Sequence, residues 1–187
     1  MTDQTRSSTD DLRRTAAVAA DYTSLQGLIN VTTGIGIVLW ALDQSLWASA
    51  VIGVGAVVWT VYYRRRFGRA VRRGSGAATA AVVVAAFVVC IAGYAVDRAL
   101  AGPVLVMPLL AAACFAVSYR LGYRNVGVTP VHQAVVVLLV LSAAAPLLGL
   151  DALGARTGMV VLGAAMAVVG LTDHVRLVAA MKPVPRD

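Results

Sequence analysis

Asp173, His174 and His132 are the residues in this sequence best suited to acid–base or metal chemistry. A carboxylate beside an imidazole can relay a proton, and two imidazoles with a carboxylate can ligate a metal. The run Thr172-Asp173-His174-Val175-Arg176 sets one such pair side by side, while His132 stands far away in the chain. No local spacing motif joins the three. A solvated helix end, with Arg176 and Lys182 near its C-terminal dipole, is therefore the competing reading. All nine acidic residues are Asp, so no Glu is present to serve as an intramembrane acid. The motifs GxSxG, HExxH and GxxxxGK[ST] are missing from the sequence. Cys90 and Cys114 lie in apolar runs without a CxxC pattern, where a thiol behaves as a small hydrophobe. The topology derived below is expected to put them at different depths in neighbouring helices. The chain reads as a non-enzyme, with no metal and no cofactor.

Three other polar sets carry structural or binding information. Tyr22, Gln26, Asn30 and Thr33 fall within about 80° of one another at ~100° per residue, forming one helix face. In lipid their polar groups would go unsatisfied, so this face turns toward other helices or lines a polar path. Asp43, Asp97 and Asp151 recur at one fixed offset, each closing an apolar run. They read as helix caps, or as an outer acidic ring at a pore mouth. The segment from Arg64 to Arg73 carries Arg64, Arg65, Arg66, Arg69, Arg72 and Arg73. Six cations against a bilayer attract anionic lipid headgroups. With Phe67 as its one aromatic, this segment has none of the interleaving that nucleic-acid binding would need, and no nucleic-acid partner is expected.

The elements that carry these residues follow from composition. Of 187 residues, 59% are hydrophobic and 13% charged, against ~45–50% and ~25% in soluble domains. That balance excludes a disordered chain and points to a membrane protein. Arg greatly outnumbers Lys, and Ala, Val and Gly abound, as expected of a high-GC bacterial source. The expected organisation is a cytoplasmic tail with a short helix over 1–21, a transmembrane domain over 22–180 and a cytoplasmic tail over 181–187. Asp3, Asp10 and Asp11 stand where a signal peptide would be basic. Six apolar runs each approach the ~20 residues that cross a bilayer. They are Thr23–Leu42, Leu46–Tyr63, Ala77–Val96, Leu100–Tyr119, Val131–Leu150 and Leu153–Leu171. The expected fold is thus an all-α bundle of six transmembrane helices. Pro108 and Pro146 fall inside the fourth and fifth runs, where each can kink its helix.

Orientation follows from the cations. With the N-terminus inside, fourteen of the sixteen Lys and Arg fall on inner segments, and only Arg98 and Arg156 on outer turns. Basic residues concentrate on the cytoplasmic side, so both termini are expected there, in the plasma membrane. The offset of 54 residues between successive outer Asp also relates Arg66, Arg120 and His174. It divides the chain into three helical hairpins, although hairpins crossing one bilayer share a length without common ancestry. Ser49 with Gly53, and Gly163 with Ala167, have the small-xxx-small spacing that allows close helix packing, and Gly34 and Gly36 do so in the first run. Short loops, small-residue faces and a lack of chemistry suit an accessory or regulatory subunit of a larger membrane complex. The alternative is a small-solute carrier or channel acting as a homo-oligomer, which the polar first run and the hairpin regularity suit. The expected partners are an anionic bilayer and either a second protein or further copies of the chain.

Overall fold

The computed structural model describes residues 16, 22, 25–67, 76–150 and 154–181, with side chains in the third helix described from residue 81 onward. The described residues are all-helical and contain no strand. Their helices are α1 (Gly27–Ala41), α2 (Ser45–Phe67), α3 (Gly76–Leu100), α4 (Val106–Gly122), α5 (Pro130–Ser142) and α6 (Arg156–Ala180), with a 3₁₀ turn at Ala145–Leu148 between the last two. Most of the expected N-terminal tail, Asp151, Arg69, Arg72, Arg73 and residues 182–187 lie outside the described residues.

Three helices are long and apolar enough to cross a membrane: α2, α3 over Ala81–Leu100, and α6. The other three are shorter than their apolar runs, for identifiable reasons. The first helix starts at Gly27 rather than Thr23. Leu25 N–H bonds to the Tyr22 carbonyl and Gly27 N–H to that of Leu25, forming a turn before the helix. The fifth ends at Ser142 because Pro146 has no N–H to return to the Ser142 carbonyl, and its ring would clash there. Pro146 therefore ends the helix instead of kinking it. The chain tightens into the 3₁₀ turn and leaves through Gly149, whose φ of 65° suits glycine.

Pro108 makes no kink either. It is the third residue of α4, where its missing N–H is one that a helix start leaves unbonded in any case. The last helix begins at Arg156 and runs through Asp173 and His174 to Ala180, well past the expected Leu171. No glycine or proline interrupts residues 171–180, and its polar residues find partners inside the protein.

Helix α6 is the centre of the fold. Against α1 it packs antiparallel through paired glycines: Gly27 faces Gly170, and Gly34 faces Gly163. A Cβ at any of the four would press on the opposite backbone. The seven-residue spacing is the same on both helices, so the contact continues for about two turns. Gly158 of α6 packs on Pro108 and Met107 of α4. The α1–α2 hairpin closes where Gly36 meets Ile52 and Gly55 meets Thr32.

In the α3–α4 hairpin, Cys90 and Cys114 touch side by side, contrary to the expected difference in depth. The bonds from Asp97 to the start of α4 fix the register. Seven residues back from Asp97 and eight forward from Val106 reach the same level.

Burial is uneven. Within the apolar stretches, 44% of α6 residues are buried by the rest of the chain, against 11% in both α2 and α3. Exposed faces of α2 and α3 carry Val54, Val57, Val58, Val83, Val84, Phe87 and Val88.

Candidate functional site, a buried imidazole–carboxylate cluster

Helix α5 starts with Thr129 in the extended N-cap conformation and Pro130 in its first turn. His132 follows three residues after the cap. That spacing brings its Nδ1 to 2.5 Å from the Thr129 hydroxyl. Its other nitrogen, Nε2, lies 3.1 Å from Asp173 Oδ1 on α6. The second carboxylate oxygen accepts a hydrogen bond from the Tyr123 hydroxyl, just beyond α4. Asp173, about two turns inside α6, therefore ties that helix to the end of α4 and the start of α5. His132 and Asp173 are both completely buried. The Tyr119 and Tyr123 rings stand steeply tilted to the imidazole plane, with ring centroids 4.7 and 4.9 Å away. Burial first, and then the Asp173 charge, hold the Tyr123 phenol far above its ordinary range. It stays protonated and donates.

Donors and acceptors match in series. With a neutral imidazole, the Thr129 hydroxyl donates to Nδ1, Nε2–H donates to Oδ1, and the Tyr123 hydroxyl donates to Oδ2. Arg176, one turn beyond Asp173, donates to the carbonyls of Val126 at 2.7 Å and Gly127 at 3.1 Å, pinning the loop between Tyr123 and Thr129. Among the described residues the Tyr119 hydroxyl is buried without a hydrogen-bond partner.

A second imidazole site adjoins the first. The Tyr63 hydroxyl and His174 Nδ1 share a hydrogen bond at 2.9 Å, and the same oxygen accepts from Leu28 N–H at 3.1 Å. Tyr63 thereby caps the start of α1 from α2. The Tyr22 hydroxyl donates to the Tyr63 carbonyl at 3.1 Å. Burial raises the Tyr22 phenol, and a hydrogen bond with Gln26 pulls it the other way.

The solvated helix end is thus overturned for Asp173. Its partner lies 41 residues away, so no local motif could signal it. The sequence reading included His132, Asp173 and His174 but not Thr129, Tyr123 or Tyr63. The spacing Thr129-x-x-His132 before an apolar run was the available clue, because a hydroxyl cap reaches the third residue of its helix. The order hydroxyl–imidazole–carboxylate also matches a nucleophile triad. Here the imidazole is sealed between tyrosine rings and the hydroxyl sits at a helix cap. The geometry is that of a satisfied polar lock, which rigidifies a bundle.

The other expected sets are only partly brought together. Tyr22 precedes α1, Gln26 is its cap residue, and Asn30 lies where α1 meets Gly170. Thr33 donates to the Ile29 carbonyl of its own helix at 2.8 Å. Asp43 and Asp97 serve separate ends. Asp97 is buried and accepts from the N–H groups of Val106 and Met107, the latter at 2.9 Å, so it caps α4 from the last turn of α3. Asp43, exposed with φ of 64°, pairs with Arg156 at 2.6 Å and joins the α1–α2 turn to the start of α6. Arg64, Arg65 and Arg66 are exposed on the last turn of α2. No family model, curated protein or solved structure matches this chain.

Proposed function

We propose that this protein crosses a bacterial plasma membrane six times, with both termini cytoplasmic, and acts as a non-enzymatic accessory or regulatory subunit of a larger membrane complex. Three helices have span length, and the three shorter ones pack among them within apolar runs. The fourteen-to-two division of cations supports the orientation. Labelling of intact cells from outside should modify Gln44→Cys, in the α1–α2 turn, and spare Val128→Cys, in the α4–α5 loop. The opposite pattern would reverse the topology.

The observation that carries the subunit reading is the bare outer half of α2. Ser49, Ala50, Gly53, Val54 and Val57 line a shallow apolar groove there. A Cβ on Gly53 would meet nothing within 4 Å, whereas Gly27 and Gly34 of α1 are covered by Gly170 and Gly163 of α6. Small residues between valine walls fit the ridge of another transmembrane helix. The protein's polar groups, by contrast, are largely committed to internal bonds. A tagged chain purified in mild detergent should retain a second membrane protein at fixed stoichiometry, and Gly53→Leu should release it. Recovery of a homogeneous homo-oligomer unaffected by Gly53→Leu would sink the subunit reading.

The carrier or channel reading rests on the buried His132–Asp173 pair, since ionisable residues within apolar helices often mark ion or proton paths. It requires that reconstituted vesicles show solute flux lost on His132→Gln.

A further inference from the structure

The groove on α2 continues past Val58 with a different chemistry. Val58, Val61, Tyr62, Arg65 and Arg66 line its second half. These positions repeat at i, i+3, i+4, i+7 and i+8, so they share one helix face. From Val58 to Arg66 the face runs about 12 Å, passing from bare valine to two guanidinium groups. Tyr62 stands between, its ring edge-on to Trp59 at 5.8 Å and to Tyr63 at 5.4 Å. Among the described residues no carboxylate pairs with Arg65 or Arg66. Arg64 is exposed too, but it falls about 200° around the helix from Tyr62, off this face.

We propose that this half-groove is a binding site for one anionic phospholipid of the cytoplasmic leaflet. The Arg65 and Arg66 guanidiniums hold the phosphate, and an acyl chain lies over Val61 and Val58. The proposal rests on α2 crossing the membrane with its arginine end inside, which labelling of the Gln44→Cys and Val128→Cys variants tests separately. Charge complementarity identifies the occupant. Arginine presents planar, paired donors that match phosphate oxygens, and the cytoplasmic leaflet supplies anionic headgroups at this level. The order of the lining, apolar and then aromatic and then cationic, is that of a lipid read from tail to headgroup. A protein helix docking there would need an acidic residue at its cytoplasmic end.

The test uses the full chain in neutral detergent, titrated with phosphatidylglycerol or phosphatidylcholine and read by native mass spectrometry. One phosphatidylglycerol should be retained in preference to phosphatidylcholine. The pair Arg65→Gln/Arg66→Gln should weaken retention at least fivefold. The pair Arg64→Gln/Arg120→Gln, which removes equal charge elsewhere, should change it less than twofold. Val61→Trp keeps both arginines but fills the acyl half, and it should also displace the lipid. Equal loss in both double variants would reduce the site to a general basic coat and overturn the proposal. So would full retention in Val61→Trp, displacement by millimolar inorganic phosphate, or unchanged lipid retention where Arg65→Gln/Arg66→Gln releases a co-purifying protein.

Discussion

Replacing His132 with leucine is expected to lower the stability of the folded bundle by about 3–5 kcal/mol, the range for leaving a buried charge without its partner. The loss leaves the Asp173 carboxylate completely buried with, among the described residues, only the Tyr123 hydroxyl bonded to it. Asp173→Leu should cost less, about 2 kcal/mol, because an imidazole can stay neutral while a carboxylate resists protonation. Tyr123→Phe should cost about 2 kcal/mol, one hydrogen bond to a charged group. The double variant His132→Leu/Asp173→Leu should recover much of the His132→Leu loss, since apolar replacement of a whole pair is often neutral. Thermal unfolding in detergent, followed by helical circular dichroism, measures all four. An ordinary hydrogen bond between membrane helices averages about 0.6 kcal/mol. A His132→Leu effect no larger than that would mean that no buried charge depends on His132.

The second large effect is expected at the α1–α6 contact. In Gly170→Ala the new methyl would collide with the Gly27 carbonyl and crowd Val31 N and Asn30 Cβ. Two of these obstacles are backbone, which cannot rotate away. Overpacking usually costs about 1–3 kcal/mol, and an immovable neighbour puts this change at or above the upper end. Gly53→Ala is the matched control. Nothing lies within 4 Å of that position, so the better helix propensity of alanine should add up to about 1 kcal/mol. The same unfolding measurement decides. If the two alanine variants shift stability equally, the glycine pairing of α1 with α6 is wrong.

Much of the helical fold was legible because long apolar runs have few alternatives. Each of the six runs overlaps one of the six described α-helices. Their ends were harder to read. Pro146 was visible, but a proline can kink a helix or stop it, and the choice depends on what the next turn packs against. The turn from Tyr22 to Gly27 carries no proline, and its first residues fit a helix face equally well. The site was half legible. His132, Asp173 and His174 could be singled out as chemical types, yet a polar residue near a helix end looks the same whether water or a buried imidazole solvates it. Only the approach of α5 to α6 decides between them. Tyr123 and Tyr63 were hidden for a related reason: aromatic residues near the ends of apolar runs are ordinarily read as interface anchors. Asp97 was recognised as a cap, but the helix it caps lies across a loop, nine residues on from it to Val106.

The pairing of Gly27 with Gly170 joins the first described helix to the last, about 140 residues further along the chain. At a synthesis rate of ~5–20 residues per second, α1 is made about seven to thirty seconds before α6 exists. Through that interval its glycine face has no permanent neighbour, and five helices must wait in an open arrangement. Asp173 arrives on the same last helix, so His132, Tyr123 and Tyr63 also remain without their final partners until then. Both the helix pairing and the polar lock therefore wait on a single late element, whose arrival closes the two in one step.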